Sequence, residues 1–173
     1  LAARSTSFSD GWSFTRGNPA GAEAPGFDDS GWTGVDVPHD WMVEQSFAVS
    51  ANPLNALAGH LPAGSAWYRK SFTTPELAPG QQVSLDFDGV QQVATVYVNG
   101  VEVGVHHHGY TAFSYDITDL LTTDGTPNVV AVKAETLQYS TRWYSGGGIY
   151  RDVALTVTDE VHVVRNGTLI TTP

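Results

Sequence analysis

With 173 residues, 18 Gly, 9 Pro, no Cys and one Met, the chain suits a single domain able to bury a core. It is too short for a (β/α)8 barrel, which needs roughly 250 residues. Without Cys it has no disulfide framework, thiolate metal site or cysteine nucleophile. Eight Lys and Arg against 18 Asp and Glu leave a net charge of −10. Nucleic acid and an anionic membrane surface are thereby disfavoured as partners, and a neutral one is favoured.

Taken in order, the chain opens with LAARSTSF, which lacks the apolar stretch of a signal peptide; a leader is either absent or lies ahead of residue 1. Residues 10–66 are rich in Gly, Ala, Pro and Trp and weakly periodic. A loop that long in a compact domain is usually functional or makes contacts elsewhere. A strand is expected over 67–73. In 83–88, Val83, Leu85 and Phe87 alternate with Ser84, Asp86 and Asp88, the pattern of a half-buried strand. The same alternation recurs in Ala94, Val96 and Val98, then in Val101, Val103 and Val105, on either side of Asn99-Gly100. Asn-Gly supplies the positive φ angles of a type I′ turn, so 93–105 reads as a hairpin.

Asp116 to Leu121 (DITDLL) is the one short-helix candidate, with polar first residues able to cap it. Strands are expected at 128–134, 152–158 and 160–165. No apolar run approaches the ~20 residues of a membrane span, and no repeat or linker divides the chain. Many short strands, Gly/Pro turns and little helix indicate an all-β fold, an antiparallel jelly-roll β-sandwich. The end at Thr172-Pro173 reads as a cut in a longer protein.

Motifs for independent chemistry are few. His106 and His108 would share a strand face and could pair on a metal, but no Cys or carboxylate sits at a matching spacing, so a solvated strand end is expected and no metal. Gly64-Ser65 and Ser145-Gly146 lack the G-x-S-x-G pattern of a serine hydrolase. There is no P-loop and no dinucleotide fingerprint, so no cofactor is expected. Glu23, Glu44, Glu76, Glu102, Glu135 and Glu160 are scattered, and nothing selects the pair of carboxylates a glycosidase uses.

Tyr139 to Arg151 (YSTRWYSGGGIYR) stands apart. Gly146-Gly147-Gly148 permits close backbone approach or unusual φ/ψ. Arg142 offers a rigid fork of donors for vicinal hydroxyls, and Trp143 and Tyr144 offer apolar faces for a sugar ring. A plainer reading makes Trp143 and Tyr150 core and pairs Arg142 or Arg151 with an acidic neighbour such as Asp152.

Six motifs now fall in order: Val37-Pro38-His39-Asp40-Trp41; Trp67-Tyr68-Arg69-Lys70-Ser71-Phe72; Phe87-Asp88-Gly89-Val90; Val96-Tyr97-Val98-Asn99-Gly100; Gly109-Tyr110 with Phe113 and Asp116-Ile117-Thr118; and Arg142 to Gly146 followed by Gly148 to Val153. In this order and spacing, over about residues 10–165, they resemble the N-terminal sugar-binding domain of glycoside hydrolase family 2, and bacterial β-galactosidases in particular. The closing VTDEVHVVRNG is similar to the large members, often secreted or surface-attached, so that location is favoured over the cytoplasm.

The resemblance implies one jelly-roll domain over 1–173, with about 160–173 leading toward the next. It implies an immunoglobulin-like domain and a (β/α)8 barrel as partners, the barrel holding both catalytic glutamates, one beside an Asn. This chain has no Asn-Glu dipeptide and should be inactive alone. Arg142 is implied as a contact to the non-reducing sugar, with Trp143 beside it, and Asn55 is a second candidate from the loop between the HDW and WYRK motifs. Relatives often carry Asp-Asn where this chain has Glu135-Thr136. His39-Asp40-Trp41 is expected to brace the fold, Trp against the sheet and Asp on backbone donors. Three functions follow: a domain of a retaining β-galactosidase, an independent carbohydrate-binding module with an aromatic platform, or a purely structural domain. β-Glucuronidase and β-mannosidase are the runner-up activities; a glucuronidase needs positive charge that this acidic chain offers sparingly.

Overall fold

The computed structural model describes residues 3–49, 56, 60–136 and 146–172. Among these, ten strands form two antiparallel sheets. They are β1 (Arg4–Ser7), β2 (Trp12–Arg16), β3 (Thr33–Val35), β4 (Gly64–Phe72), β5 (Gln82–Phe87), β6 (Val93–Val98), β7 (Val101–His106), β8 (Phe113–Asp116), β9 (Asn128–Thr136) and β10 (Val153–Thr158). The smaller sheet runs β1-β10-β5-β8 and the larger β3-β2-β4-β9-β6-β7. Consecutive strands alternate between sheets often enough to stitch the two layers into a jelly-roll sandwich.

Period-two patterning places the core between the layers. Val83, Leu85 and Phe87 of β5 and Val153, Leu155 and Val157 of β10 face Ala94, Val96 and Val98 of β6 and Val130, Val132 and Ala134 of β9. Ala66 and Tyr68 of β4 and Trp12 and Phe14 of β2 complete that layer. The hairpin turn has positive φ at both Asn99 (51°) and Gly100 (82°). The pairing of β6 with β7 slips by one residue between Val96 and Tyr97. At Gly104 the Tyr115 ring lies so close that a Cβ would fall within 2.5 Å of it.

The irregular stretch before β4 has two roles. It contributes β2 and β3 to the sheet, and it covers that sheet's outer face. There Trp67 and Ala131 pack with Ala22, Phe27, Trp32 and Tyr97. Trp67 Nε1 donates to Asn18 Oδ1 at 2.9 Å. Arg69, only 2% exposed, fastens the cover: its Nε donates to Asp29 Oδ2 at 3.1 Å, and its guanidinium reaches the carbonyls of Ala22, Ala24 and Pro25.

Two expected elements differ. Asp116–Leu121 is not a helix. Asp116 is the last residue of β8, and a single 3-10 turn, Thr118–Leu120, follows. The N-cap position is Ile117, with no side-chain cap; Asp116 Oδ1, one residue earlier, accepts from Thr118 N at 2.9 Å. Thr118 Oγ1, however, accepts Val83 N of β5 at 2.8 Å, and Leu121 is already extended. Residues 160–165 are not a strand either. No described strand pairs with them, Val161 and Val163 are each 74% exposed, and Arg165 ties the segment to Asp86 (3.2 Å) and Asp88 (2.5 Å).

Arg69→Ala is expected to destabilise the chain by about 3 kcal/mol, because it leaves buried carbonyls and Asp29 without their donor. Asp29→Ala should cost less, since Asp29 is one-third exposed. Urea unfolding of both variants checks the order.

Candidate functional site

Asn55, Arg142 and Trp143 lie outside the described residues. What the structure builds is the frame beside them: Thr136, the last residue of β9, and the ribbon that begins at Gly146. Gly146 to Ile149 are all buried and held from two sides. On one, His39 N donates to Ile149 O at 2.7 Å and Trp41 N to Gly147 O at 3.1 Å. Asp40 Oδ1 accepts from both Gly147 N and Met42 N at 3.0 Å. On the other side, Gln91 and Gly148 exchange both main-chain bonds, 2.8 and 2.9 Å. The HDW motif therefore braces the fold as expected, with Trp41 buried at 1% exposure and Asp40 satisfying backbone donors.

The glycines are required by what surrounds them. A Cβ on Gly147 would sit 2.9 Å from Met42 Cγ and Sδ and from Thr136 Oγ1. Gly148, at φ +108°, would drive a Cβ into the Tyr68 hydroxyl. Tyr68 is wholly buried, and its hydroxyl lies 2.8 Å from His39 Nδ1. His39 Nε2 stands 3.4 Å from Glu44 Oε1. With Nε2–H directed at the carboxylate, Nδ1 is the acceptor for the Tyr68 O–H. Burial, reinforced by the charges of Asp40 and Glu44, pushes ionisation of Tyr68 far above the usual tyrosine range.

Gln91 is not singled out by its sequence, yet it is central here. It is 2% exposed, and the backbone of Gly109 lies directly against its side-chain amide. Gly109 and Gly148 were the available signal, since both mark a close approach of chain to chain. Gln91 Oε1, Thr136 Oγ1 and Trp41 Nε1 are buried without a hydrogen-bond partner among the described residues. At the Glu135-Thr136 position, Glu135 Oε1 pairs with Lys133 Nζ at 3.0 Å.

The remaining candidates resolve individually. β7 ends at His106, so His106 and His108 do not share a strand face. His106 stacks on Phe113 with centroids 4.3 Å apart and meets Thr111 Oγ1 at 2.9 Å. Among the described residues no group of three or more His, Asp or Glu is placed to hold a metal ion. Arg151 does not pair with Asp152. Its guanidinium approaches the carbonyls of Asp88 and Tyr110, both at 3.4 Å, and covers the Tyr150 ring. Tyr150 is half-buried, its hydroxyl donating to Gly109 O at 2.7 Å.

The class that these observations define is an antiparallel jelly-roll sandwich with a buried glycine ribbon fastened to it from two sides. Residues 28–159 match the family described as "Glycosyl hydrolases family 2, sugar binding domain", and the chain belongs to that family. It is 43% identical over 166 residues to the β-galactosidase BoGH2A of Bacteroides ovatus, covering 95% of this chain and 19% of that protein. A solved family 2 glycosyl hydrolase from Bacteroides cellulosilyticus superposes with a TM-score of 0.85 at 36% identity, over 98% of this chain and 23% of that one. The β-glucuronidase of Bacteroides uniformis does so at 0.80 and 33%, over 96% and 19%. The chain thus spans about a fifth of the length of these relatives.

Gly148→Ala should destabilise the fold by about 3 kcal/mol, combining a backbone conformation essentially confined to glycine with a steric overlap. Tyr68 predicts the alkaline behaviour. Its folded-state ionisation lies above the unfolded value near 10, so its contribution is complete below pH 10 and is lost as pH rises beyond it. Urea midpoints of Tyr68→Phe should therefore fall less steeply between pH 10 and 12 than those of the parent. Tyr97 and Tyr115, also raised by burial, add to the slope that remains, and Lys70, lowered by burial, opposes it. Parallel slopes in variant and parent would contradict the assignment.

Proposed function

We propose that this chain is the single sugar-binding domain, over residues 1–173, of a retaining β-galactosidase. In this reading the residues from about 160 lead toward an immunoglobulin-like domain, and a (β/α)8 barrel beyond it supplies the two carboxylates of double displacement. This domain completes the wall around the terminal galactose. The absence of an Asn-Glu dipeptide from the chain accords with an inactive part of a larger enzyme. Arg142 orients galactose hydroxyls through its planar fork of donors, Trp143 lends a ring face, and Asn55 approaches from the other loop. Such contacts act through positioning and remote binding energy.

The observation that carries the reading is the 43% identity to a β-galactosidase over 95% of the chain. It is supported by the residues that flank 137–145: Thr136 pairs with Gly64 at the end of β9, and Gly146 to Ile149 are fastened from two sides. A second reading, β-glucuronidase, draws on the likeness to the Bacteroides uniformis enzyme at 33% identity. The net charge of −10 weighs against it, because a glucuronide carries a carboxylate.

The test uses the full-length enzyme with p-nitrophenyl β-galactoside and β-glucuronide in parallel. The galactoside should be the better substrate, and preference for the glucuronide would reverse the assignment. Arg142→Ala should lower kcat/KM on the galactoside at least tenfold, about 1.4 kcal/mol of transition-state stabilisation. Near-normal kinetics would remove Arg142 from the site.

A further inference from the structure

The turn between β7 and β8 carries an exposed aromatic surface that the frame above does not use. Tyr110 is 57% exposed, yet its backbone is fastened on all sides. Its N–H donates to His108 Nδ1 at 3.3 Å, and its carbonyl receives Arg151 Nη1 at 3.4 Å. The neighbouring Gly109 carbonyl accepts the Tyr150 hydroxyl at 2.7 Å. Thr111 N and Oγ1 both close onto His108 O. The ring itself stands edge-on to Tyr150, centroids 6.5 Å apart at 74°, and to His108, 6.1 Å apart at 67°. An exposed aromatic held by a rigid turn presents contact area at low entropic cost, which is the usual composition of a recognition surface.

The rim of this shelf is polar in a specific way. Because His108 Nδ1 accepts from Tyr110 N, the imidazole proton resides on Nε2 in the neutral ring, leaving that N–H as a donor. Arg151 uses Nη1 on backbone carbonyls and lies over the Tyr150 face at 5.1 Å. The Tyr110 hydroxyl can donate or accept. One apolar ring face edged by such groups fits a pyranose, which has an apolar C–H face and a girdle of hydroxyls.

The shelf is continuous with the frame. Gly109 packs against the Gln91 amide, Gln91 pairs with Gly148, and Tyr150 follows two residues later. We propose that Tyr110, His108 and Arg151 form a saccharide subsite that holds a sugar residue further along the same chain whose terminal sugar meets residues 137–145. The proposal rests on that reading of 137–145 and deepens it.

The test uses the full-length enzyme and compares β-galactobiose and β-galactotriose with p-nitrophenyl β-galactoside. Tyr110→Ala should raise KM for the galacto-oligosaccharides at least tenfold more than it raises KM for the p-nitrophenyl substrate, and Tyr110→Phe should recover most of that difference. An equal change in KM for all three substrates, or none, would overturn the subsite and leave the terminal-sugar reading standing. An enzyme that hydrolyses no β-galactoside would overturn both.

Discussion

The frame depends on one steric constraint: the Tyr68 hydroxyl occupies the space where Gly148 would carry a side chain. Because Gly148 carries none, the ribbon from Gly146 to Ile149 can lie flat against β4 and exchange main-chain bonds with His39, Trp41 and Gln91 together. The hydroxyl in turn meets His39 Nδ1, and His39 Nε2 reaches Glu44. Remove the glycine and each of these contacts loses its reference point. The core between the sheets would feel the change through Ile149, which is fully buried in it, and the stem at Gly146 would have no fixed position.

The outer face of the larger sheet follows a related logic. A buried guanidinium is costly unless its donors are matched, and Arg69 finds three carbonyls and a carboxylate in the turns between Ala22 and Asp29. Those turns have little regular structure to hold them. Arg69 and the Trp67 indole, bonded to Asn18, substitute for a ladder. The long weakly periodic stretch is thereby a cover for the sheet as well as a source of two strands.

How much was legible follows from what each element depends on. β5, β6, β9 and β10 were readable because alternate residues face a common core, and β7 because it follows Asn99-Gly100, where positive φ at both positions suits those residue types; its own Val101 and Val105 stay exposed. β2 and β3 were not readable, because they are only five and three residues long and sit in a stretch rich in Gly and Pro, although Trp12-Ser13-Phe14-Thr15 does alternate. Residues 160–165 show strand composition, but a strand also needs a partner, and pairing is not written in local composition. DITDLL has helical residues, but Thr118 is drawn to β5. At the site, the triple glycine and the HDW motif were visible as close approach and bracing. Gln91 and Tyr68 were not, since a buried Gln or Tyr becomes special only when a distant glycine is set against it.

The distribution of positive charge bears on substrate choice. The chain has eight Lys and Arg, and the seven that are described are each occupied within the fold. Arg4 donates to Glu76 O, Arg16 to Gln45 while covering Trp41, and Lys70 to the carbonyls of Phe8 and Asp10. Arg69, Lys133, Arg151 and Arg165 are held by the partners already given. Arg142 alone lies outside the described residues. In the galactosidase reading, the cation proposed to meet the terminal sugar is Arg142, within a chain of net charge −10. A single guanidinium suffices to fork two hydroxyls of a neutral sugar. In that reading Arg142 acts through geometry more than through charge, and a lysine in its place would keep the charge and lose the fork.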